Sequence, residues 1–468
     1  METYETLLAA VTTPDGGLPV TDPATGEVIG RAPERGPDDL ERAVTAASAA
    51  QPAWEALGHE ERSRLLNAAA DAVDRSAEAL AHLVTREQGK PLNGPGSRFE
   101  AGGVAAWLRT AAATPLEPER VLDDESGQAT LSYRAAGLVG AIGPWNWPAL
   151  IASWQLGPAL RMGNAVVMKP SEHTPLSVLA LAEIVNQVLP EGVLTVLSGS
   201  GDLGAAMTAH PAFDKIMFTG STRTGQAIVR SSAANLPRLT LELGGNDPGI
   251  VLPDADPAAI AEDLFWGAFI NTGQTCAALK RLYVPEALHD DVVDALADVA
   301  ARMPMGPGTS EDNVLGPLTT TDQFHIVDKL VEQARAAGGR FVLGGDPDRD
   351  APGNFYPTTL VTGLPPDAPL VVEEQFGPAL PIIAYTDLDD ALSQANALDV
   401  GLGASVWSSD VERARQVAAR IEAGTVWINK HGTVHPMVPF GGVKGSGYGL
   451  EFGAEGLKAV GVPQVIAT

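Results

Sequence analysis

Cys276 is the only cysteine in the chain, and it closes the run Asn271-Thr-Gly-Gln-Thr-Cys276. A lone thiol forms no intramolecular disulfide and no thiolate cluster around zinc. Two readings remain, a buried spectator or a nucleophile. Free cysteine is among the most buried residue types. Yet the flanks here, Gly273, Gln274, Thr275, Ala277 and Ala278, are small or polar, unlike those of an aliphatic core position. A thiol that performs acyl chemistry needs an oxyanion donor and a base that activates water.

Other segments offer such groups. Gly143-Pro-Trp-Asn-Trp-Pro148 surrounds Asn146 with two tryptophans and two prolines. So stiff a loop can hold an amide in fixed geometry, although a structural aromatic turn reads the same way. Glu242-Leu-Gly-Gly245 puts a carboxylate at the end of an apolar run, which suits a general base or a plain strand end. Phe218-Thr-Gly-Ser-Thr-Arg-Thr-Gly225 follows a strand pattern and opens a helix pattern, and its small residues would let a pyrophosphate approach the helix N-terminus. It is not the Gly-x-Gly-x-x-Gly fingerprint. Lys169-Pro-Ser-Glu172 offers a cation and a carboxylate after another strand. Glu373-Glu-Gln-Phe-Gly-Pro378 and Pro439-Phe-Gly-Gly-Val-Lys-Gly-Ser-Gly447 decide nothing by themselves. His431 and His435 have the four-residue spacing of a metal pair on a helix, but Gly432 and Pro436 argue against a helix, so no metal is expected.

The elements that must position these groups follow from the pattern of the chain. Residues 38–57 and 60–87 read as helices, the first with Asp38 and Asp39 at its start. From 137 to 252, strands (165–168, 195–197, 215–218, 238–243) alternate with helices (175–189, 202–209, 222–232). Such alternation gives a parallel sheet covered by helices, with ligands at the carboxyl ends of its strands. A second α/β pattern spans about 256–430. Its helices lie near 256–270, 286–302, 320–337 and 409–423, and its strands near 281–284, 340–343, 380–384, 404–407 and 425–428. Residues 112–136 are punctuated by Pro115, Pro118 and Gly127 and read as a projecting hairpin. The β-prone tail Val460–Ile466 needs a partner strand, which the 112–136 arm of another subunit would supply.

At 468 residues the chain exceeds one hydrophobic core. Its 31 Lys and Arg against 58 Asp and Glu leave a net charge of −27, which repels polyphosphates and anionic bilayers. Neither nucleic acid nor a membrane is an expected partner. No leader pattern and no membrane-length apolar run is visible, and with one cysteine a reducing cytoplasm is expected.

Taken in order, Pro-Trp-Asn-Trp-Pro, Lys-Pro-Ser-Glu, Phe-Thr-Gly-Ser-Thr, Glu-Leu-Gly-Gly, Gly-Gln-Thr-Cys, Glu-Glu-Gln-Phe-Gly-Pro and Pro-Phe-Gly-Gly resemble the NAD(P)-dependent aldehyde dehydrogenase superfamily over nearly the whole chain. The resemblance implies a Rossmann-type cofactor domain (1–111 and 137–244), an α/β catalytic domain (245–453) and a small β oligomerisation arm (112–136 and 454–468). Cys276 would be the nucleophile, Glu242 the general base, and Asn146 with the Cys276 N–H the oxyanion hole. Lys169 and Glu172 would contact the adenine ribose, and Ser221 with the Gly220–Gly225 turn the pyrophosphate. Glu374 would hold the nicotinamide ribose with Phe376 near the ring. Ile142, Trp145, Gly201 and Leu243 complete the cofactor set.

The aldehyde tunnel would be lined by Trp147, Trp154, Trp266, Val434 and Phe440, with Phe269 assigned to the core. As a set these residues imply a hydrophobic, aromatic or medium-chain aldehyde, and the resemblance implies a homodimer or homotetramer. Glu172 would repel a 2′-phosphate, so NAD is expected, with NADP as the alternative. Many relatives carry a lysine after the tryptophan at 154 that passes protons outward with a glutamate near the tail. Here that position is Gln155, while the glutamate is present as Glu451. The competing readings are a CoA-acylating dehydrogenase, for which a base is dispensable, and an inactive relative.

Overall fold

The computed structural model describes residues 3–468. Five parallel strands form one sheet in the spatial order Arg238–Glu242, Lys215–Thr219, Leu138–Ile142, Ala165–Lys169 and Leu194–Val196. The order reverses on either side of Leu138–Ile142, and a ligand crevice opens at the carboxyl ends beside such a reversal. A two-residue strand from near the C-terminus, Gly447–Tyr448, pairs antiparallel with Arg238–Glu242 and covers that edge.

A second sheet has the order Arg340–Leu343, Thr359–Thr362, Ala379–Tyr385, Leu279–Pro285, Asp247–Val251, Gly403–Trp407 and Thr425–Ile428. All its pairs are parallel except the one at the Arg340–Leu343 edge. Only the four residues 243–246 separate the end of Arg238–Glu242 from the start of Asp247–Val251. The carboxyl end of the first sheet therefore abuts the amino end of the second.

The alternating pattern of 165–243 and the long helices Pro37–Ala56 and Gly58–Gln88 are present close to their expected limits. Three elements lack the pattern that would announce them. Pro148–Met162 is buried at every one of its 15 residues, so it has no polar face, and it carries Pro158 inside. Asp247–Val251 opens Asp-Pro-Gly, the composition of a turn. Leu138–Ile142 is a short fully buried strand with a glycine at its centre.

The arm corrects one expectation. Glu119–Asp124 and Gly127–Ala135 form the hairpin, and the tail strand Gly461–Ala467 pairs with Gly127–Ala135 of its own chain, from Gly461 opposite Ala135 to Ala467 opposite Ala129. The antiparallel partner was already present within the chain, so the tail needs no second subunit to satisfy its backbone. Val465 and Ile466 on this small sheet remain exposed.

Candidate active site

Cys276 follows a backbone that L-residues seldom adopt. Asn271 (φ 51°), Thr272 (φ 55°) and Gly273 (φ 76°) are consecutive left-handed residues, and a β-branched threonine there is a genuine outlier. Side chains hold the turn against its strain. Thr272 Oγ1 donates to the Gly316 carbonyl at 2.9 Å and accepts from its N–H at 3.1 Å. Gln274 donates to the Asn271 carbonyl at 3.1 Å and accepts from the Thr319 N–H at 2.9 Å. Lys280 Nζ donates to the Gly273 carbonyl at 2.8 Å. Strain held by so many bonds is the usual mark of a functional turn.

Asn146 is tied to the same turn. Its amide Nδ2 donates to the Gln274 carbonyl at 3.0 Å, and its own carbonyl accepts from Asn271 Nδ2 at 2.8 Å and from Lys90 Nζ at 2.8 Å. Lys90 is fully buried, pairs with Glu100 at 2.5 Å and lies 3.4 Å from the centroid of the Trp147 ring. Glu100 accepts the N–H groups of Ala149 and Leu150 at the start of the Pro148–Met162 helix, where a negative charge suits the helix dipole. Trp147 Nε1 in turn donates to Thr275 Oγ1 at 3.0 Å, next to the thiol. The composition of the stiff loop points to Asn146; the Lys90–Glu100 pair beneath it was not foreseen. The one hint is a run of polar residues, Glu87-Gln-Gly-Lys90, ending an otherwise amphipathic helix.

Two chambers meet at Cys276. The first, a cleft of about 790 Å³, lies at the carboxyl ends of the first sheet. Ile142, Trp145, Asn146, Lys169, Glu172, Gly201, Gly220, Ser221, Leu243, Glu374 and Phe376 all line it. Ser221 caps the helix Thr222–Ser231 by accepting from the Thr224 N–H at 3.3 Å. Lys169 Nζ lies 3.5 Å from the Glu172 carboxylate, and burial holds its ammonium below the usual lysine range. Phe376 (φ 46°) sets its ring edge-on to Trp145 at 5.3 Å. Glu374 accepts the Gly245 N–H at 3.2 Å, and burial raises its carboxyl to about 7 against the pull of Lys280. Gly225 does not line the cleft. It sits against Leu243, and a Cβ there would come within 2.7 Å of that side chain, so its role is to let the helix pack closely.

The second chamber, a tunnel of about 510 Å³, is lined by Trp147, Trp154, Trp266, Val434 and Phe440. It also holds Phe99, Trp107, Asp263 and Lys430, which the motifs did not single out, and His431, which the sequence offered only as half of a metal pair. Phe269 is buried in the core beneath. His431 bonds Ser405 at 2.9 Å and lies 3.5 Å from Asp247, while His435 is exposed, so the two histidines do not converge. Among the described residues no cluster of three or more potential ligands forms.

Electrostatics divide the site. Burial raises the Cys276 thiol to about 12, with Asp247, Glu242 and Glu374 adding to the rise. Glu242 ends its strand, is buried, and accepts no hydrogen bond from the protein on either oxygen. Burial and then the nearby Glu451 raise its carboxyl well above the ordinary range. A carboxyl so placed is a far stronger base when ionised than one in water. In sum, a nucleophile on a rigid turn, an amide donor, a base and two chambers converge, which is what acyl chemistry with a bound cofactor requires.

The aldehyde dehydrogenase family model matches residues 11–465. The chain is 36% identical to the phenylacetaldehyde dehydrogenase of Pseudomonas fluorescens, over 95% of this chain and 91% of that protein. It is 37% identical to the betaine aldehyde dehydrogenase of Cereibacter sphaeroides, over 93% and 90%. The crystal structure of Staphylococcus aureus betaine aldehyde dehydrogenase in complex with NAD+ superposes with a TM-score of 0.93 at 32% identity, covering 100% of this chain and 96% of that one. With its motifs in order, its turn-borne thiol and its two chambers, the chain belongs to the aldehyde dehydrogenase family.

Proposed function

We propose that the protein oxidises a hydrophobic aldehyde, aromatic or of medium chain length, to the carboxylic acid with NAD, through a thiohemiacetal and a thioester on Cys276. The observation that carries this reading is the position of Cys276, the one thiol, at the junction of an aromatic tunnel and a cofactor-sized cleft. The Cys276 thiolate attacks the aldehyde carbon, and the Asn146 amide and Cys276 N–H hold the oxyanion. NAD, when bound, supplies the hydride acceptor. Lys169, Glu172, Ser221 and Glu374 are the side chains that would hold it. Glu242 then draws a proton from water, and hydroxide hydrolyses the thioester.

Similar identity to enzymes named for phenylacetaldehyde and for betaine aldehyde does not choose a substrate. The tunnel favours the uncharged one. An aromatic cage attracts a cation through ring faces, but Lys90 already occupies a face of Trp147, and of the two charges lining the tunnel, Lys430 and Asp263, one is of each sign. Glu172 favours NAD over NADP, because a carboxylate beside the ribose would repel a 2′-phosphate. The division into cofactor half, catalytic half and β arm, a homodimer or homotetramer, and a reducing cytoplasm belong to the same reading. The exposed Val465 and Ile466 of the arm and the single free thiol support the last two.

An aldehyde panel with NAD and with NADP, followed by NADH or NADPH absorbance, tests the proposal. We expect kcat/KM for benzaldehyde-type and medium-chain aldehydes to exceed that for betaine aldehyde and succinic semialdehyde at least tenfold, the low end of the ~10–200-fold discrimination an apolar pocket provides. A charged aldehyde in first place would overturn the substrate assignment. Free acid formed without CoA distinguishes hydrolysis from CoA acylation.

A further inference from the structure

The amide that would meet the oxyanion stands on a segment gripped by a buried ion pair, and no step of the chemistry above uses that pair. Gly89 (φ 99°) ends the helix Gly58–Gln88 in a left-handed turn, and the residues on either side of it, Gln88 and Lys90, both reach toward the site. Lys90 meets Glu100, in the first turn of the helix Ser97–Ala113, with Nζ and Oε2 2.5 Å apart and both side chains fully buried. An ammonium has three N–H groups, and three targets surround this one: Glu100 Oε2, the Asn146 carbonyl at 2.8 Å and the face of Trp147. The second oxygen of Glu100 accepts the N–H groups of Ala149 at 2.9 Å and Leu150 at 3.1 Å. The pair thus holds residues 146–150 by a carbonyl, a ring and two amides.

The same stretch also fixes this segment against the nucleophile turn. The Asn146 carbonyl gives its second lone pair to Asn271 Nδ2 at 2.8 Å, so it has no freedom left. Gln88 Nε2 donates to Asn271 Oδ1 at 3.2 Å and to Thr319 Oγ1 at 2.9 Å, and Gln88 Oε1 accepts the Lys90 N–H at 2.9 Å. Asn146 Nδ2 carries two N–H groups. One donates to the Gln274 carbonyl at 3.0 Å, and the other is left for a ligand. Its direction follows from the backbone on which Asn146 stands. Replacing a buried ion pair by well-packed apolar side chains is often neutral or stabilising. Core stability therefore does not call for two charges here, whereas a directional grip on a carbonyl and two amides does.

We propose that Lys90 and Glu100 are positioning residues that aim the free N–H of Asn146 at the oxyanion. The inference rests on the thioester reading above. As Cys276 Sγ bonds the aldehyde carbon, the π pair of the carbonyl moves onto oxygen, and the Asn146 amide donates to the charge that develops. Lys90 and Glu100 touch no substrate and exchange no proton. They act through Asn146, where a shift of about an ångström costs on the order of 10²-fold.

The test compares two reactions of one thiol. Benzaldehyde oxidation passes through an oxyanion, whereas iodoacetamide is displaced at a saturated carbon and forms none. The double variant Lys90→Met, Glu100→Gln removes both charges together, so neither is left buried alone, and keeps an acceptor for the Ala149 and Leu150 N–H groups. We expect its kcat/KM for benzaldehyde to fall at least about tenfold, toward the ~10²–10³-fold loss expected for Asn146→Ala. Alkylation by iodoacetamide without cofactor, and the Kd for NAD, should stay within about twofold of wild type. Added to Asn146→Ala, the double variant should cost less than about twofold more, because both changes remove the same interaction. Benzaldehyde oxidation within twofold of wild type overturns the proposal. So does an equal fall in oxidation and alkylation, or a full further loss on top of Asn146→Ala. If the double variant does not fold, Glu100→Gln alone decides by the ratio of the two reactions, and a ratio within twofold of wild type overturns the proposal. Asn146→Ala at the wild-type rate would instead overturn the oxyanion reading, and fully alkylated enzyme that still forms NADH would overturn the thioester reading itself.

Discussion

A thiol held near pKa 12 is a poor nucleophile, and the residues around Cys276 show which charges hold it there. Burial is the largest cause, but Asp247 is the first of the neighbouring carboxylates. A nearby negative charge disfavours the thiolate, so removing it must lower the pKa. Asp247→Asn is expected to shift the pH profile of iodoacetamide inactivation, measured without cofactor, to lower pH. At a fixed pH below the midpoint the rate should rise by about threefold or more, half a pKa unit. An unchanged profile would mean that Asp247 does not hold the thiol up.

At the scale of elements, the active site depends on one turn and the strand ends that flank it. Gly273 has φ 76°, and a Cβ there would collide with the Gly377 carbonyl oxygen. Gly273→Ala therefore combines backbone strain of roughly 1–3 kcal/mol with displacement of the nucleophile. NADH production is expected to fall on the order of 10²-fold, the cost of about an ångström of misplacement. NAD affinity, read by quenching of tryptophan fluorescence, should stay within about twofold, because most of the cofactor cleft belongs to the other sheet. A parallel loss of both would show that the turn also supports the cleft.

The same elements show what was legible in the sequence. Residues that bring their chemistry in a local motif, such as Cys276, Asn146, Glu242 and Glu374, could be named, and all of them line the cleft. Lys90 and Asp247 could not, because each acquires meaning only from a partner far along the chain. The alternating strands and helices were readable from their periodicity. The Pro148–Met162 helix was not, since a helix buried on every side has no period to show. Gly225 was assigned to the pyrophosphate because glycine in such a turn has two uses, ligand approach and helix packing, and only the structure distinguishes them.

For the molecule as a whole, the net charge of −27 is the dominant long-range term. Surface ion pairs, such as Arg98 with Glu78 and Glu311, oppose it, but exposed pairs contribute only about 0–1 kcal/mol each. Screening by salt weakens both, and with so large an imbalance the relief of self-repulsion should win. The melting temperature is expected to rise as sodium chloride is raised from about 0.02 to 0.5 M, spanning Debye lengths from above to below the ~10 Å at 0.1 M. Each 1 kcal/mol gained should appear as a shift of about 2–4 °C or less in a chain of this size. A falling melting temperature would show that the ion pairs outweigh the repulsion.

The Gly447–Tyr448 strand closes the edge of the first sheet beside the Glu242 strand, and the two are separated in the chain by the entire second sheet. On the ribosome, the Glu242 strand is made long before its antiparallel partner exists, with a delay on the order of tens of seconds at ordinary synthesis rates. Throughout that interval the nascent sheet presents a bare edge at the very residue destined to be the base. Such an edge is open to pairing with any neighbouring chain, including another copy under synthesis on the same message. Residues translated only after the whole second sheet are thus the ones that end this edge's exposure to misassembly.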